Sequence, residues 1–302
     1  MQFFDTPLER KDGRLIGPWR KPANMLQAQT YDNHASMHDD ATAQKLGFKG
    51  GAVEGPTHFS QFAPLGEALW GERWWKEGCA SAHYRSMVFD GEAARAIAEE
   101  PVDGVAKITM EKEDGTEVLR GTLSIGAAGP TALTARLAEL KPLEQPVILR
   151  DVKVGMKQPR HPVRMGADQH MGDLYPFSLA DKLKKITEPS RGYAEVIPME
   201  MISVLLQYSS RRPGWPVKGP AVGLFADQEI RLIDGPLLVG ADYEIEREVV
   251  FLSGSRRTES MWVRTTVFEP GGTAPKAEML LNSATLVESY APYAEEKAKL
   301  YG

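Results

Sequence analysis

Cysteine is nearly absent: Cys79 is the only one in 302 residues, so no intrachain disulfide can form and stability must come from a packed core. That fits a reducing compartment. Cys79 precedes an apolar, strand-like run with no basic partner beside it, and reads as a packing residue rather than a nucleophile. Long apolar runs are missing too. None approaches the ~20 residues of a membrane span. The stretch Met1-Gln-Phe-Phe-Asp5 lacks the basic and then apolar regions of a secretory leader, which makes the cytoplasm the expected location. Basic residues do not cluster: Arg256-Arg257 and the lysines from Lys182 to Lys185 are short and interrupted, and the net charge is −5. A nucleic-acid footprint is therefore not expected, although a local basic patch would still suffice for an anionic ligand. No metal or cofactor is called for.

The chain itself is ordinary globular material, 42% hydrophobic and 25% charged, with Gly 28 and Pro 21. Its length suits two domains of roughly 150 residues. They are expected at 1–128 and 151–302, with 129–150 as a linker punctuated by Gly129-Pro130 and Pro142. Asp39 to Gly47 reads as a short helix, with acids at its start and glycine at its end. A second helix is expected over Thr57–Trp70, where Phe59, Phe62, Ala63, Leu65, Leu69 and Trp70 recur at helical spacing and Pro64 should kink it. Strands follow at Ala80–Phe89, 92–99, Gly104–Lys112 and Glu117–Ile125, the last two joined by the hairpin signal Asp114-Gly115. After a loop-rich stretch, Tyr193–Arg211 reads as a largely buried helix, and strand-like runs come at 220–234, 241–253, 259–269 and 276–288. The order of loops, long apolar helix and about four strands thus occurs twice. A helix wrapped by an antiparallel sheet is an α+β solution, and two such sheets joined at their edges give one continuous sheet.

Chemistry concentrates between Asp32 and Gly55. Asp32, His34 and His38 stand in a loop before a helix, and a carboxylate with an imidazole can share acid and base work. Gly55-Pro56 opens the apolar helix, whose first N–H groups lack intrahelical partners and can bind an oxyanion. His58, in the first turn, is a candidate pocket residue. Trp70, Trp74 and Trp75 read as core or interface aromatics, and Asp168 and His170 as surface-loop residues.

The segment His38-Asp-Asp, Gly47-Phe48, Ala52-Val-Glu-Gly-Pro56 and, downstream, Arg85-Ser-Met-Val-Phe-Asp-Gly-Glu92 resembles the hydratase motif of MaoC-like (R)-specific enoyl-CoA hydratases and 3-hydroxyacyl dehydratases. The resemblance covers about residues 30–95. It implies a double hotdog fold, an acyl-CoA thioester substrate, His38 as the catalytic imidazole and the Gly55 N–H as oxyanion donor. It also implies a catalytic aspartate, for which two registers compete. An ungapped count puts Asn33 there, which cannot act as a base and would leave a substrate-binding residue. A one-residue bulge puts Asp32 there. Glu54 stands where the family has histidine. The implied activity is hydration of a trans-2-enoyl-CoA or the reverse dehydration, in fatty acid metabolism, with a homodimer as the expected assembly. Two alternatives stay open: a subunit that binds acyl-CoA without turnover, and a thioesterase using Glu67, the one long-helix carboxylate, which is expected to face solvent. The second half has no Asp–His pair before its helix, so one site per chain is expected.

Overall fold

The computed structural model describes residues 3–29, 36–207 and 214–302. Its frame is one sheet of eleven strands: β1 (Glu9–Lys11), β2 (Arg14–Ile16), β3 (Gly78–Tyr84), β4 (Ala94–Glu99), β5 (Val105–Lys112), β6 (Glu117–Ile125), β7 (Lys157–Arg164), β8 (Gly223–Leu232), β9 (Asp242–Gly254), β10 (Thr258–Phe268) and β11 (Pro275–Leu286). Their spatial order is β1-β2-β4-β5-β6-β3-β8-β11-β10-β9-β7, all antiparallel. Each half follows one rule: the strand after the long helix goes to the centre, and the next three step back inward to meet it, with the short β1-β2 pair or β7 lying outside them. The halves join where β3 pairs with β8, from Cys79 opposite Arg231 to His83 opposite Asp227. The expectation of two α+β halves sharing one sheet is met.

The strands form where polar and apolar residues alternate. In β5, Ala106, Ile108 and Met110 are buried while Lys107 and Thr109 are exposed. The helices are α1 (Asp40–Lys45), α2 (Phe59–Trp70), α3 (Glu72–Glu77), α4 (Ala132–Glu139), α5 (Leu179–Leu183), α6 (Met199–Gln207) and α7 (Tyr293–Tyr301). Asp39 caps α1, its carboxylate accepting from Thr42 N at 2.7 Å. Both α2 and α6 are buried on nearly every face, because the sheet wraps them and they pack against each other. One apolar core runs through both halves. Pro64 is accommodated inside α2. Gly66 lets Trp74 of α3 lie against the helix: a Cβ there would meet the indole at 2.3 Å. No helix among the described residues is long and apolar enough to cross a membrane.

Several boundaries differ from the sequence expectation. The strand expected over Ala80–Phe89 ends at Tyr84, and Val88 and Phe89 turn away to pair with Val53 and Ala52. The helix expected over Tyr193–Arg211 is a 3-10 turn, Arg191–Ala194, followed by α6, because Pro198 has no N–H and disfavours helix at Ile197. The loop-rich stretch holds β7, an edge strand that tolerates Pro159 and Pro162 where an inner strand would not. The stretch expected as linker carries α4, which lies over the central seam: Leu133 N donates to Ser81 Oγ at 3.0 Å, and Thr131 Oγ1 to Glu229 at 2.5 Å.

Candidate active site

The chain from Ser36 to Gly55 folds back on itself to present His38. Ser36 Oγ receives the His38 N–H at 3.1 Å, and Asn24 Nδ2 donates to the His38 carbonyl at 2.9 Å. Asp40 anchors the return by accepting from Gly51 N at 2.7 Å. The backbone of Val53 then donates to Val88 O at 2.8 Å, pinning this arm to the segment after β3. His38 Nδ1 lies 2.6 Å from the Ala52 carbonyl oxygen. A carbonyl only accepts, so Nδ1 carries the hydrogen and Nε2 keeps a lone pair. Burial lowers the imidazole pKa below its usual 6.5, so the ring is neutral at pH 7.

Gly55 follows. Residues Gly55–His58 form a 3-10 turn whose last residue keeps helical angles, so the chain runs into α2 without a break. The Gly55 N–H is the first donor of this helical run and has no intrahelical partner. The Tyr84 ring covers the glycine, and its hydroxyl donates to Gln228 Oε1 at 3.0 Å. One turn on, His58 is buried, and its Nδ1 has no hydrogen-bond partner among the described residues. Burial, with the charges of Lys182 and Lys112, pushes its pKa down to about 3, so it too is neutral.

Beside Gly55 lies a buried ionic group that the sequence did not announce. Glu54 is 6% exposed and accepts from the Tyr175 hydroxyl at 3.2 Å. Burial raises its pKa to about 7 against the opposing pull of Lys182 and the Tyr175 bond, and Glu200 raises it further. The Lys182 ammonium is itself buried; it donates to Thr57 Oγ1 at 3.0 Å and lies 3.5 Å from Glu200 of α6. Burial likewise raises the Glu200 pKa. One cation thus stands among two buried carboxyls.

Several of these groups, though not Thr57, Lys182 or Glu200, line a cavity of about 430 Å³ built by both halves. His38, Glu54, Gly55 and His58 come from the first half, and Tyr175, Gln207 and Phe225 from the second. Much of its wall is apolar, including Met37, Val53, Met87 and Leu224. The corresponding place at the start of α6 is filled by Trp74, Trp75 and Tyr193, leaving about 20 Å³. Of the two helix starts, the one in the N-terminal half is the one that opens on a roomy cavity.

His38, Gly55 and His58, singled out in the sequence, line this same cavity. Asp32, Asn33 and His34 lie outside the described residues, as do Arg211 and Arg212. Glu67 corrects the expectation of a solvent-facing carboxylate. It is buried, and its oxygens accept from the N–H groups of Phe3 and Phe4 at 3.0 and 3.1 Å and from Trp75 Nε1 at 2.8 Å. The N-terminal strap and α3 occupy it, away from the residues that line the cavity. Sequence reading missed Tyr175, Lys182 and Glu200; the Ser178–Asp181 capping signal before Lys182 was the one legible hint of a helix there. Among the described residues no three His, Cys, Asp or Glu side chains are grouped to hold a metal ion.

No family model matches the sequence, and no curated protein matches it. Solved structures do. A MaoC domain protein dehydratase from Chloroflexus aurantiacus is 14% identical, with 95% of this chain and 96% of that one covered at a TM-score of 0.53. A conserved hypothetical protein from Mycobacterium tuberculosis, described as having a double hotdog fold, is 10% identical over 89% of this chain and 94% of its own, at 0.53. The dehydratase domain of a mycocerosic acid synthase-like polyketide synthase gives 10% identity, coverages of 93% and 94%, and 0.50. At these identities the likeness shows the fold. The chain is a double hotdog.

Proposed function

We propose that this protein is a hydratase or dehydratase of acyl thioesters, adding water across a trans-2-enoyl-CoA or removing it from the 3-hydroxyacyl-CoA. The observation that carries the reading is one cavity lined both by His38, whose Nδ1 is held by Ala52 O, and by Gly55 at the start of a buried helix. Elimination or addition next to a thioester passes through charge on the carbonyl oxygen. A preorganised N–H at a helix start stabilises that charge, and loss of one such donor typically costs about 10²–10³ in rate. His38 Nε2 takes the proton of the attacking water, with Nδ1–H fixed by Ala52 O. His58 lines the same cavity, and its buried Nδ1 has no hydrogen-bond partner among the described residues. By its resemblance to the family motif, Asp32 in the bulged register, or Asn33 in the ungapped one, fills the place of the family's aspartate in this proposal.

Two observations favour this reading over thioester hydrolysis by a long-helix carboxylate. Glu67 is held by three N–H donors and does not line this cavity, whereas His38, Glu54 and Gly55 of the MaoC-like motif do. The test is loss of enoyl absorbance with crotonyl-CoA and longer enoyl-CoAs. Turnover that drops in His38→Ala is expected. No turnover at any chain length, with calorimetric binding of the thioester retained, turns the protein into a binding subunit instead.

A further inference from the structure

We infer that Glu54 is the second acid–base residue of this cavity, handing a proton to the substrate's α-carbon while His38 takes one from water. The inference rests on the proposed acyl-thioester function. Its geometry stands by itself: Glu54 is a buried carboxyl on the wall of the cavity, immediately before Gly55, in the same lining as His38.

The surroundings explain how it keeps a proton. Tyr175 faces Glu54 from the loop before α5, Lys182 from α5, Glu200 from α6 and Tyr84 from β3. Lys182 lies against Glu200 at 3.5 Å and donates to Thr57, so its single charge is shared. Tyr84 and Tyr193 are pushed well above the ordinary phenol range by burial and nearby carboxyls, and supply no charge. Two acids and one cation leave one proton in excess of a fully ionised group. Glu54, the acid that opens on the cavity, holds it up to about pH 7. A carboxyl poised near the working pH is the efficient form of a general acid.

The balance for hydration is closed. The water O–H bond breaks and its proton goes to His38 Nε2 as oxygen bonds to the β-carbon. The π electrons move onto the thioester oxygen, opposite the Gly55 N–H. That charge collapses as the α-carbon takes the Glu54 proton. His38 is left as imidazolium and Glu54 as carboxylate, and a proton returned from one to the other resets the site. Dehydration runs the same steps backward, with Glu54 as carboxylate and His38 protonated.

The test compares the parent protein with Glu54→Gln and Glu54→Asp over pH 5–9, using crotonyl-CoA turnover and ligand-free infrared spectra of the carboxyl band. Expected are an alkaline limb of kcat near pH 7, a fall of about 100-fold in kcat for Glu54→Gln with KM little changed, and partial recovery in Glu54→Asp. A protonated carboxyl band should also titrate near pH 7 and vanish in Glu54→Gln. An active parent whose kcat and pH limb survive Glu54→Gln overturns the inference alone. An inactive parent overturns the functional reading, and the inference with it. Should Glu54→Gln fail to fold, the parent spectra decide: no carboxyl titrating between about pH 6 and 8 overturns the assignment.

Discussion

Gly55 lies so close under Tyr84 that a Cβ at position 55 would come within 2.6 Å of the phenol ring carbon Cζ. The contact fixes both partners, since the Tyr84 hydroxyl is held by Gln228 across the seam between the halves. Gly55→Ala must push the ring away or tilt the helix start. A loss of about 1–3 kcal/mol is expected from overpacking, together with weaker turnover. Denaturation of Gly55→Ala, Tyr84→Ala and the double variant checks it: the double should lose less than the sum of the singles, because removing the ring removes the clash.

Lys182 and Glu200 form a buried pair bridging α5 and α6. Lys182→Met leaves Glu200 as an unpaired buried charge, which typically costs about 3–5 kcal/mol. Lys182→Met with Glu200→Leu should recover most of that loss in urea unfolding. Because Lys182 is the largest influence holding the Glu54 pKa down, the single variant should also move the alkaline limb of turnover to higher pH.

His58 makes the folded state sensitive to acid. Its folded pKa, about 3, lies below the 6.5 of the unfolded chain. The stability linked to it is complete above about pH 6.5 and drains away as pH falls toward 3, because only the unfolded chain binds the proton readily. Between pH 7 and pH 4 this amounts to on the order of 3 kcal/mol. His58→Gln should flatten that slope relative to the parent in matched denaturation curves. An equal slope in both proteins refutes the point.

Glu67 separates structure from chemistry. Its carboxylate gathers Phe3 N, Phe4 N and the Trp75 indole N–H. Glu67→Gln replaces a charged acceptor by a neutral one and should cost about 1–3 kcal/mol, lowering the melting temperature. Thioester turnover below that temperature should be unaffected. A large loss of kcat in a folded Glu67→Gln would restore the thioesterase reading.

Much of the scaffold was legible. The hairpin at Asp114-Gly115, the apolar spacing from Phe59 to Trp70 and the twice-repeated order of helix and strands are local patterns, and local patterns survive folding. What escaped has physical reasons. The helix α4 has eight residues, too few for its period to stand out between Pro130 and Pro142. The strand β7 carries two prolines, tolerated because it ends up at an edge. In the cavity, His38, Gly55 and His58 stood out because they are chemically unusual where they occur, whereas Tyr175 and Lys182 have no motif around them.

By itself the sequence determined that this chain must build a disulfide-free core from two helix-and-sheet halves, and that a glycine followed by proline opens the first long helix. Tertiary structure decided everything that depends on who lies next to whom. It set the His38 tautomer through Ala52 O, filled the second half's equivalent place with Trp74 and Trp75, and turned Glu67 inward. It also buried Glu54 beneath Tyr175, 121 residues away. Periodicity reports which face of an element is apolar. The proton on a carboxyl depends on desolvation and on charges brought from distant parts of the chain, and no local pattern records those.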